Sequence, residues 1–410
     1  MKRLVRYEWK KIWGSRLNQL TVLGCCLFLL FCVYSVIVQT YAVDEKGNSV
    51  SGMEAVKTMK ELPTVQVTQE NVEQFMQKYL DCTEDPQTNS RKEETDFLNE
   101  EVYGTLYRRN RDFFSLLMTN YQGSSRELNM KEVFQRNMGK DFYKSRSEQL
   151  AIELDGFVKT GMIKENQKDY WLEKDAEVKD LKLGNFQFWK SMINSAGWII
   201  LIMPLICVGI APLFAGEYQT GADSLLLTMR YGKSRLVRAK ILSAVLYATA
   251  VYWGIVLAYA GIYLMIFGPQ GGNLPIQAYD TANPISYSLT MWQAVLLVVL
   301  LGYGAVLCMT AVTLLLSAVF KNSYGVIITD FLLVLIPSFL YESSGGYLWK
   351  HVLALLPSKI TEFRFTDYLA YNVPGRVIGL PAMLFVVDVL CIAGFILASG
   401  YAFKHHQVNK

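Results

Sequence analysis

Histidine is scarce in this 410-residue chain, and the spacings that metal sites and hydrolases require are missing. None of the three histidines belongs to an H-E-x-x-H pattern, and no G-x-S-x-G occurs. The first pattern places two metal-binding rings on one helix face, and the second exposes a serine nucleophile on a tight turn. We therefore expect no catalytic group, no metal ion and no cofactor to be held by this chain.

Paired cysteines and glycosylation sequences are also lacking from the polar part of the chain. Six of the seven cysteines fall in apolar runs, where a thiol packs as a small apolar group. Cys82 stands alone in the polar stretch 44–190, so no disulfide can form within that stretch. No N-x-S/T sequence occurs anywhere. Both absences favour a bacterial protein.

Apolar residues, in contrast, are abundant and make up 52% of the chain. A helix needs ~20 of them in succession to cross ~30 Å of hydrocarbon at ~1.5 Å per residue. Runs of this length are helical, because only helices and closed barrels satisfy their backbone groups in lipid. The sequence predicts an all-α membrane protein with six transmembrane helices, at 20–41, 191–215, 241–267, 291–320, 324–341 and 377–403.

Charge is distributed unevenly along the chain and predicts its orientation. The stretch 44–190 holds 27 acidic and 22 basic residues, whereas the rest of the chain holds 9 acidic and 18 basic ones. Most of those bases lie in short segments beside the apolar runs, where Lys and Arg mark the cytoplasmic side. The connection 268–290 has neither Lys nor Arg. We therefore predict a bacterial cell-membrane protein with both termini in the cytoplasm, including a short tail at 404–410.

The first 43 residues predict a surface helix followed by a membrane anchor. Within 1–18, Trp9, Ile12 and Trp13 lie on one side and basic residues on the other, which is typical of a cytoplasmic interfacial helix. The apolar part of 19–43 is longer than the about 7–15 residues usual in a secretory signal. We interpret it as an uncleaved first transmembrane helix, and a cleaved signal is the alternative.

The polar stretch 44–190 predicts a mostly α-helical extracellular domain between the first two spans. Val72, Met76 and Leu80 recur at helical spacing, and the long alternation typical of strands is absent. A stretch of this length can close a core of its own. The remaining region, 191–403, then contains five transmembrane helices, a cytoplasmic coupling segment at 216–240 and an outer interfacial helix at 342–376.

Two acidic residues lie deep in the predicted spans. A charged side chain at a helix centre costs ~2.5–3.5 kcal/mol on insertion scales, so such residues usually serve a purpose. Asp330 and Asp388 therefore form a candidate intramembrane polar site. The alternative is that each one hydrogen-bonds a neighbouring Thr or Tyr, or faces a subunit interface.

The stretch 211–240 carries the most specific pattern in the chain. An apolar run ends at Glu217, a short helix is expected at 223–229, and five basic residues precede the next apolar run. Residues 232–234 read GKS, like the end of a phosphate-binding loop, but the full pattern requires Gly where Leu227 stands. The chain therefore has no ATP-binding signature of its own.

This stretch resembles the permeases of the second class of ABC exporters. Their second span ends in a Phe-x-x-Glu element, which here is Phe214 to Glu217. A Leu-rich short helix, a basic turn ending in Arg235 and a Lys opening the third span (Lys240) follow in the same order. The span order and the place of the insert are also similar, over roughly 1–43 and 191–403. Family members usually have Pro before that Arg, where this chain has YGKS.

The resemblance implies that the short helix is a coupling element that docks into a groove of a separate ATPase. Leu225, Leu226 and Met229 would enter the groove as a helix-in-groove contact. Arg235 and the other bases would hold the segment at the anionic inner leaflet. Glu217 would pair with those bases or with a neighbouring subunit, or cap the span without a role in transport.

The predicted function is therefore the permease subunit of an ATP-driven exporter. By the same resemblance, its partners are ABC ATPase subunits that bind ATP and Mg²⁺, a second permease in a homo- or heterodimer, and membrane lipids, with no nucleic acid. The implied substrate is a peptide, such as a peptide antibiotic, or a lipid-like molecule. The alternative is a peptide-sensing or immunity scaffold, whose extracellular domain binds a ligand without transporting it.

Overall fold

The computed structural model describes residues 1–92, 95–123, 128–340 and 346–405. Most of the tail predicted at 404–410, and the first residues of the interfacial helix predicted at 342–376, lie outside this part of the chain. The described residues are mostly helical, as the sequence predicts. Their strands form only short two-stranded antiparallel pairs.

Among the described residues, five helices are long and apolar enough to cross a membrane. Each exceeds the ~20 residues that a span requires. These helices bury part of their surfaces against one another and so form a helical bundle. The N-terminal helix Lys2–Trp13 packs against this bundle. We refer to them in chain order as the first, second, third, fourth and last spans: Arg16–Val38, Gln187–Gln219, Gly232–Phe267, Met291–Val319 and Leu380–Lys404.

The fifth of the six predicted spans is represented by a shorter apolar helix, Ser323–Ser338. Its 16 residues extend for roughly 24 Å at ~1.5 Å per residue, less than the ~30 Å of a bilayer core. It packs against the second and fourth spans. The structure thus confirms five of the predicted spans by length and composition, and a sixth crossing stays a prediction.

The polar insert forms most of a second region, which we call the head and define as 41–186, 268–290 and 346–379. The head is mostly helical, as predicted, and it also contains short pairs of antiparallel strands. Its helices are Gly52–Glu61, Gln69–Glu84, Glu100–Val102, Arg111–Gln122, Met130–Asn137, Phe142–Lys159, Glu165–Ala176 and Gly346–Leu353. Its strand pairs are Tyr41–Val43 with Ser49–Ser51, Val65–Gln66 with Lys182–Leu183, Asn89–Lys92 with Thr95–Leu98, and Ala370–Val373 with Arg376–Gly379.

The insert does not complete its core alone, because segments from after the third and fourth spans take part. Trp171 is fully buried, and its indole N–H donates to the carbonyl of Tyr368 at 3.1 Å. Arg146 pairs with Asp175 at 2.6 Å in the interior and donates to the carbonyl of Ile285 at 2.9 Å. Ions this deeply buried need such partners to offset their lost hydration. The head is therefore assembled from three chain segments.

The segment 342–376 differs from the interfacial helix that the sequence predicts. In the described part of this segment the α-helix is Gly346–Leu353, and a 3₁₀ turn follows at Pro357–Glu362. Pro357 ends helical pairing because it lacks a backbone N–H. The chain then forms the hairpin Ala370–Gly379, with Gly375 at φ +82° in its turn, and the last span begins at Leu380 rather than at 377.

Candidate functional site

Four charged side chains form a cluster at the end of the bundle that carries the N-terminal helix. The ammonium of Lys240, which is fully buried, lies 2.8 Å from Glu217 Oε1 and 3.1 Å from Glu8 Oε2. Lys11 Nζ approaches the same Glu217 oxygen at 2.6 Å. Two acids and two bases make the cluster neutral, which is how ions are tolerated away from water.

The cluster joins three elements that are distant in sequence. Glu8 and Lys11 are three residues apart on the N-terminal helix and therefore share one side of it. Glu217 lies near the end of the second span, and Lys240 lies near the start of the third. A displacement of any one of these elements must move charges that the other two hold, so the cluster connects them mechanically.

The N-terminal helix is docked on the bundle more deeply than a surface helix would be. It ends at Trp13, and both Glu8 and Ile12 are buried. Its backbone carbonyl at Val5 accepts a hydrogen bond from Ser243 of the third span at 3.1 Å. The ring of Trp13 meets Tyr247 edge-on at 5.4 Å. The helix predicted at 1–18 is therefore an integral part of the site.

The second span is interrupted just before Glu217, and the fourth span repairs the interruption. Pro212 has no N–H to donate, so the helical hydrogen bonding is broken between Ile199–Ile210 and Pro212–Gln219. The hydroxyl of Ser317 donates to the carbonyl of Ala211 at 2.7 Å. It also accepts from the N–H groups of Phe214 and Ala215, at 3.0 and 3.1 Å. One buried side chain thus satisfies three backbone groups.

The segment that follows Glu217 is fastened to the end of the fourth span. Tyr218 donates its hydroxyl to the carbonyl of Ala318 at 2.9 Å. The Gln219 amide donates to Asn322 Oδ1 at 2.8 Å and accepts from Ser323 Oγ at 3.0 Å. The end of the second span is consequently held on two sides, by the ion cluster and by these hydrogen bonds.

A short helix at Ala222–Thr228 occupies the place where the sequence predicts one at 223–229. It begins after Gly221, whose φ of +68° lies in the left-handed region that favours glycine. Leu225 is 62% exposed and Met229, just after the helix, is 50% exposed. Leu226 is half-buried. Leu225 and Met229 therefore form an exposed apolar pair, whereas Leu226 is partly committed to the fold.

The basic turn packs closely against the end of the short helix. A Cβ at position 232 would lie 1.7 Å from the carbonyl oxygen of Leu226, so only glycine fits there. Arg235 is exposed, and its guanidinium lies 4.3 Å from the ring centre of Tyr231. The glycine that resembles part of a phosphate-binding loop therefore has a packing reason instead.

Asp330 and Asp388 are not part of the ion cluster. Asp330 is fully buried in the helix Ser323–Ser338, where its carboxyl faces Thr313 of the fourth span. Asp388 is nearly buried where the last span packs on the fourth, and a Cβ at position 304 would lie 2.5 Å from its Oδ2. Gly304 therefore provides the room for this carboxyl. The structure places the two acids at different helix contacts, not at one shared site.

The sequence predicts that Glu217 pairs with the bases that follow it, and Lys240 is one of those bases, but the sequence did not identify Lys11 or Glu8 as members of the cluster. Glu8 lies among six basic residues of the first 16, and its position on the helix face of Val5 and Ile12 was the available signal. Lys240 follows the basic turn and looks like one more exposed base. Nothing in the local sequence distinguishes Ser317, because its hydrogen-bond partners lie about a hundred residues earlier in the chain.

Comparison with known proteins places this geometry in context. The family model described as "ABC-2 family transporter protein" matches residues 9–363, which is most of the chain. The match includes Lys11, Glu217, the short helix and Lys240, and it begins immediately after Glu8. No curated protein matches the chain.

Proposed function

Because this chain belongs to the ABC-2 family of transporter proteins, we propose that it is the permease subunit of an ATP-driven exporter. It is a multi-pass membrane protein, and permeases of this family work with an ABC ATPase. In the proposal the ATPase is a separate subunit that binds ATP and Mg²⁺. Two permeases would assemble as a homo- or heterodimer, among membrane lipids, in a bacterial cell membrane.

The observation that carries the proposal is the exposed apolar pair formed by the short helix and the residue just after it. Leu225 and Met229 project from the segment that lies between the second and third spans. An apolar pair four residues apart is suited to a groove on another protein. The docking surface for the ATPase would therefore be centred on these two side chains, with Leu226 contributing its exposed part.

Motion of the short helix would reach the spans through the ion cluster. Closure of the ATPase on ATP would displace the short helix, and Glu217 and Lys240 flank the segment that contains it. Because both side chains also contact the N-terminal helix, that helix would move with the second and third spans. Arg235 and the neighbouring bases would keep the segment at the anionic surface of the cytoplasmic leaflet.

The proposed orientation follows from the same assignment. The ATPase and both termini would be cytoplasmic, and the head would be extracellular, in agreement with the distribution of Lys and Arg. The substrate would be a peptide or a lipid-like molecule moved outward between the two permeases. Substrates of both kinds combine apolar and polar parts, so a path along the membrane-spanning helices would suit them.

Purification from the native membrane tests the proposal. The chain should bring with it a protein that binds and hydrolyses ATP, and the complex should retain ATPase activity in liposomes. A thiol reagent that cannot cross membranes should label Cys82 in intact cells but not a cysteine placed at Ser234. The absence of an ATPase among the co-purified proteins, or labelling at position 234 from outside, would contradict it. Ligand binding to the head without ATP-dependent transport would favour a sensor instead.

A further inference from the structure

A cleft of about 600 Å³ opens in the head, away from the ion cluster. Its walls are the end of the helix Arg111–Gln122, one face of the helix Phe142–Lys159, and the loop residues 282–284. Clefts of a few hundred Å³ are the usual size of small-molecule sites in proteins. The cleft is therefore large enough for a ligand of several chemical groups.

One face of the helix Phe142–Lys159 supplies the floor of the cleft. Gln149, Ile152, Glu153 and Gly156 line it at spacings of three and four residues, which places them together on the helix. Gly156 contributes no side chain, and nothing lies within 4 Å of where its Cβ would be. The open volume of the cleft thus depends partly on this glycine.

Glu153 is a half-buried carboxylate that has no counter-ion among the residues that the structure describes. Burial raises the pKa of this group above its ordinary value. Among the described residues it forms neither a hydrogen bond nor an ion pair. Its neighbours differ, since Asp155 pairs with Lys168 at 2.6 Å and Asp175 pairs with Arg146. Partial burial of an unpaired acid costs free energy that a cationic ligand would recover.

Apolar side chains accompany the carboxylate. Ile152 is 64% exposed and Met162 is 38% exposed, and both line the cleft. Contact between these side chains and an apolar part of a ligand would remove apolar surface from water, which favours binding. The site therefore presents one negative charge next to apolar surface.

We propose that this cleft binds a molecule that carries an ammonium or guanidinium group beside an apolar group, with Glu153 accepting the cation. Gln149, whose amide makes no hydrogen bond with the described residues, would contact polar groups of the same ligand. The head would bind such a molecule whether or not the chain also transports it.

An occupant of the cleft would touch the connection between two spans as well as the insert. Residues 282–284 belong to the loop between the third and fourth spans. This loop is held against the rest of the head by a hydrogen bond from Thr119 to the carbonyl of Ala282 at 3.2 Å, and by one from Tyr368 to the carbonyl of Pro284 at 2.8 Å. A bound ligand would therefore contact the loop that connects the third and fourth spans.

The test measures binding of two short peptides to the purified full chain in lipid nanodiscs. The probes are a coumarin-labelled acetyl-Leu-Lys-Leu amide and the same peptide with norleucine in place of lysine, followed by fluorescence anisotropy. The lysine peptide should bind the wild-type chain at least about tenfold more tightly, because a charge-assisted hydrogen bond contributes ~1.5–3 kcal/mol. Glu153→Gln should abolish this difference, and Glu148→Gln, an exposed acid on the same helix, should preserve it.

A second variant tests the location independently of charge. Gly156→Leu adds a side chain into open space, so the head should fold while both peptides lose affinity. The proposal is overturned if the wild-type chain does not discriminate between the peptides up to about 1 mM, the weak end of specific binding. It is equally overturned if Glu153→Gln keeps the full preference for lysine, or if Gly156→Leu binds both peptides as the wild type does.

Discussion

The ammonium of Lys240 lies 2.8 Å from Oε1 of Glu217, and the two side chains are only 0% and 10% exposed. A buried pair of this kind contributes less to stability than its short distance suggests, because both ions have given up hydration. The pair is important because it connects the second span to the third. Glu217 lies near the end of the second span and Lys240 near the start of the third, so the segment between them is held at both ends.

Removing the buried cation should destabilise the bundle strongly. Lys240→Met leaves the carboxylates of Glu8 and Glu217 without their shared partner, and breaking a buried pair in this way costs ~3–5 kcal/mol. The melting temperature of the purified protein should therefore fall clearly. Lys233→Met removes an exposed base from the same turn and should leave the melting temperature almost unchanged.

A double-mutant cycle distinguishes the pair from general damage. Glu217→Gln combined with Lys240→Met removes opposite charges together, so the double variant should be less destabilised than the sum of the two single variants. Strictly additive losses would show that the two side chains do not interact, and the connection between the second and third spans would then need another explanation.

Ser317→Ala should weaken the link between the second and fourth spans. The change leaves the N–H groups of Phe214 and Ala215 and the carbonyl of Ala211 without a partner, and an unsatisfied buried polar group costs ~1–3 kcal/mol. Thermal unfolding measures the loss. Ser399→Ala is the matched control, because among the described residues the buried Ser399 hydroxyl bonds only the carbonyl of Ile396 in its own helix. Equal losses from both variants would contradict the repair role of Ser317.

The elements that sequence predicted well are those set by local pattern. Five spans and the short helix at Ala222–Thr228 follow from apolar length and helical spacing. The helical character of the insert also follows from the helical spacing of its apolar residues. What sequence did not predict depends on distant contacts. Lys240 is paired with Glu8 across more than two hundred residues, and no local rule distinguishes a base that will be buried from one that will stay in water.

The head shows the same limit. The sequence predicts a self-contained insert at 44–190, yet Trp171 donates to Tyr368, and Gln167 bonds the carbonyl of Ala370. Those partners lie in 342–376, where the sequence predicts an interfacial helix instead of the observed hairpin. Apolar and aromatic residues predict burial without specifying against what, so the three-segment assembly could only be found in the structure.

Gly232→Ala should displace the short helix. The added methyl would overlap the carbonyl of Leu226, and that backbone cannot move without shifting the turn. Trypsin cleavage after Arg230 and Lys233 should therefore become faster than in the wild type. Gly254→Ala, where a Cβ meets nothing within 4 Å, should leave the cleavage rate unchanged. Unchanged cleavage in Gly232→Ala would show that the close approach is not required.

The head should lose stability in acid partly through His351. Burial lowers the pKa of this imidazole, so the folded state favours the neutral ring and the unfolded chain binds more protons. The contribution of the neutral ring to folding stability is then fully present above the ordinary histidine pKa and is lost as the pH falls below that pKa. Melting temperatures measured from about pH 7.5 to about pH 5.5 should decline, and His351→Gln should make the decline less steep. An identical slope in the variant would exclude His351 as the cause.

The most direct test of the coupling assignment is co-purification of the ATPase with a Leu225→Asp variant. Leu225 is exposed, so the permease should fold and insert normally, yet burying a leucine at an interface is worth ~1.5–3 kcal/mol and a carboxylate there adds a desolvation cost. Recovery of the ATPase should drop by more than about tenfold. Ser234→Asp, which places the same charge in the exposed turn, should retain most of the ATPase. Full recovery with Leu225→Asp would contradict the proposal that this helix is where the ATPase docks.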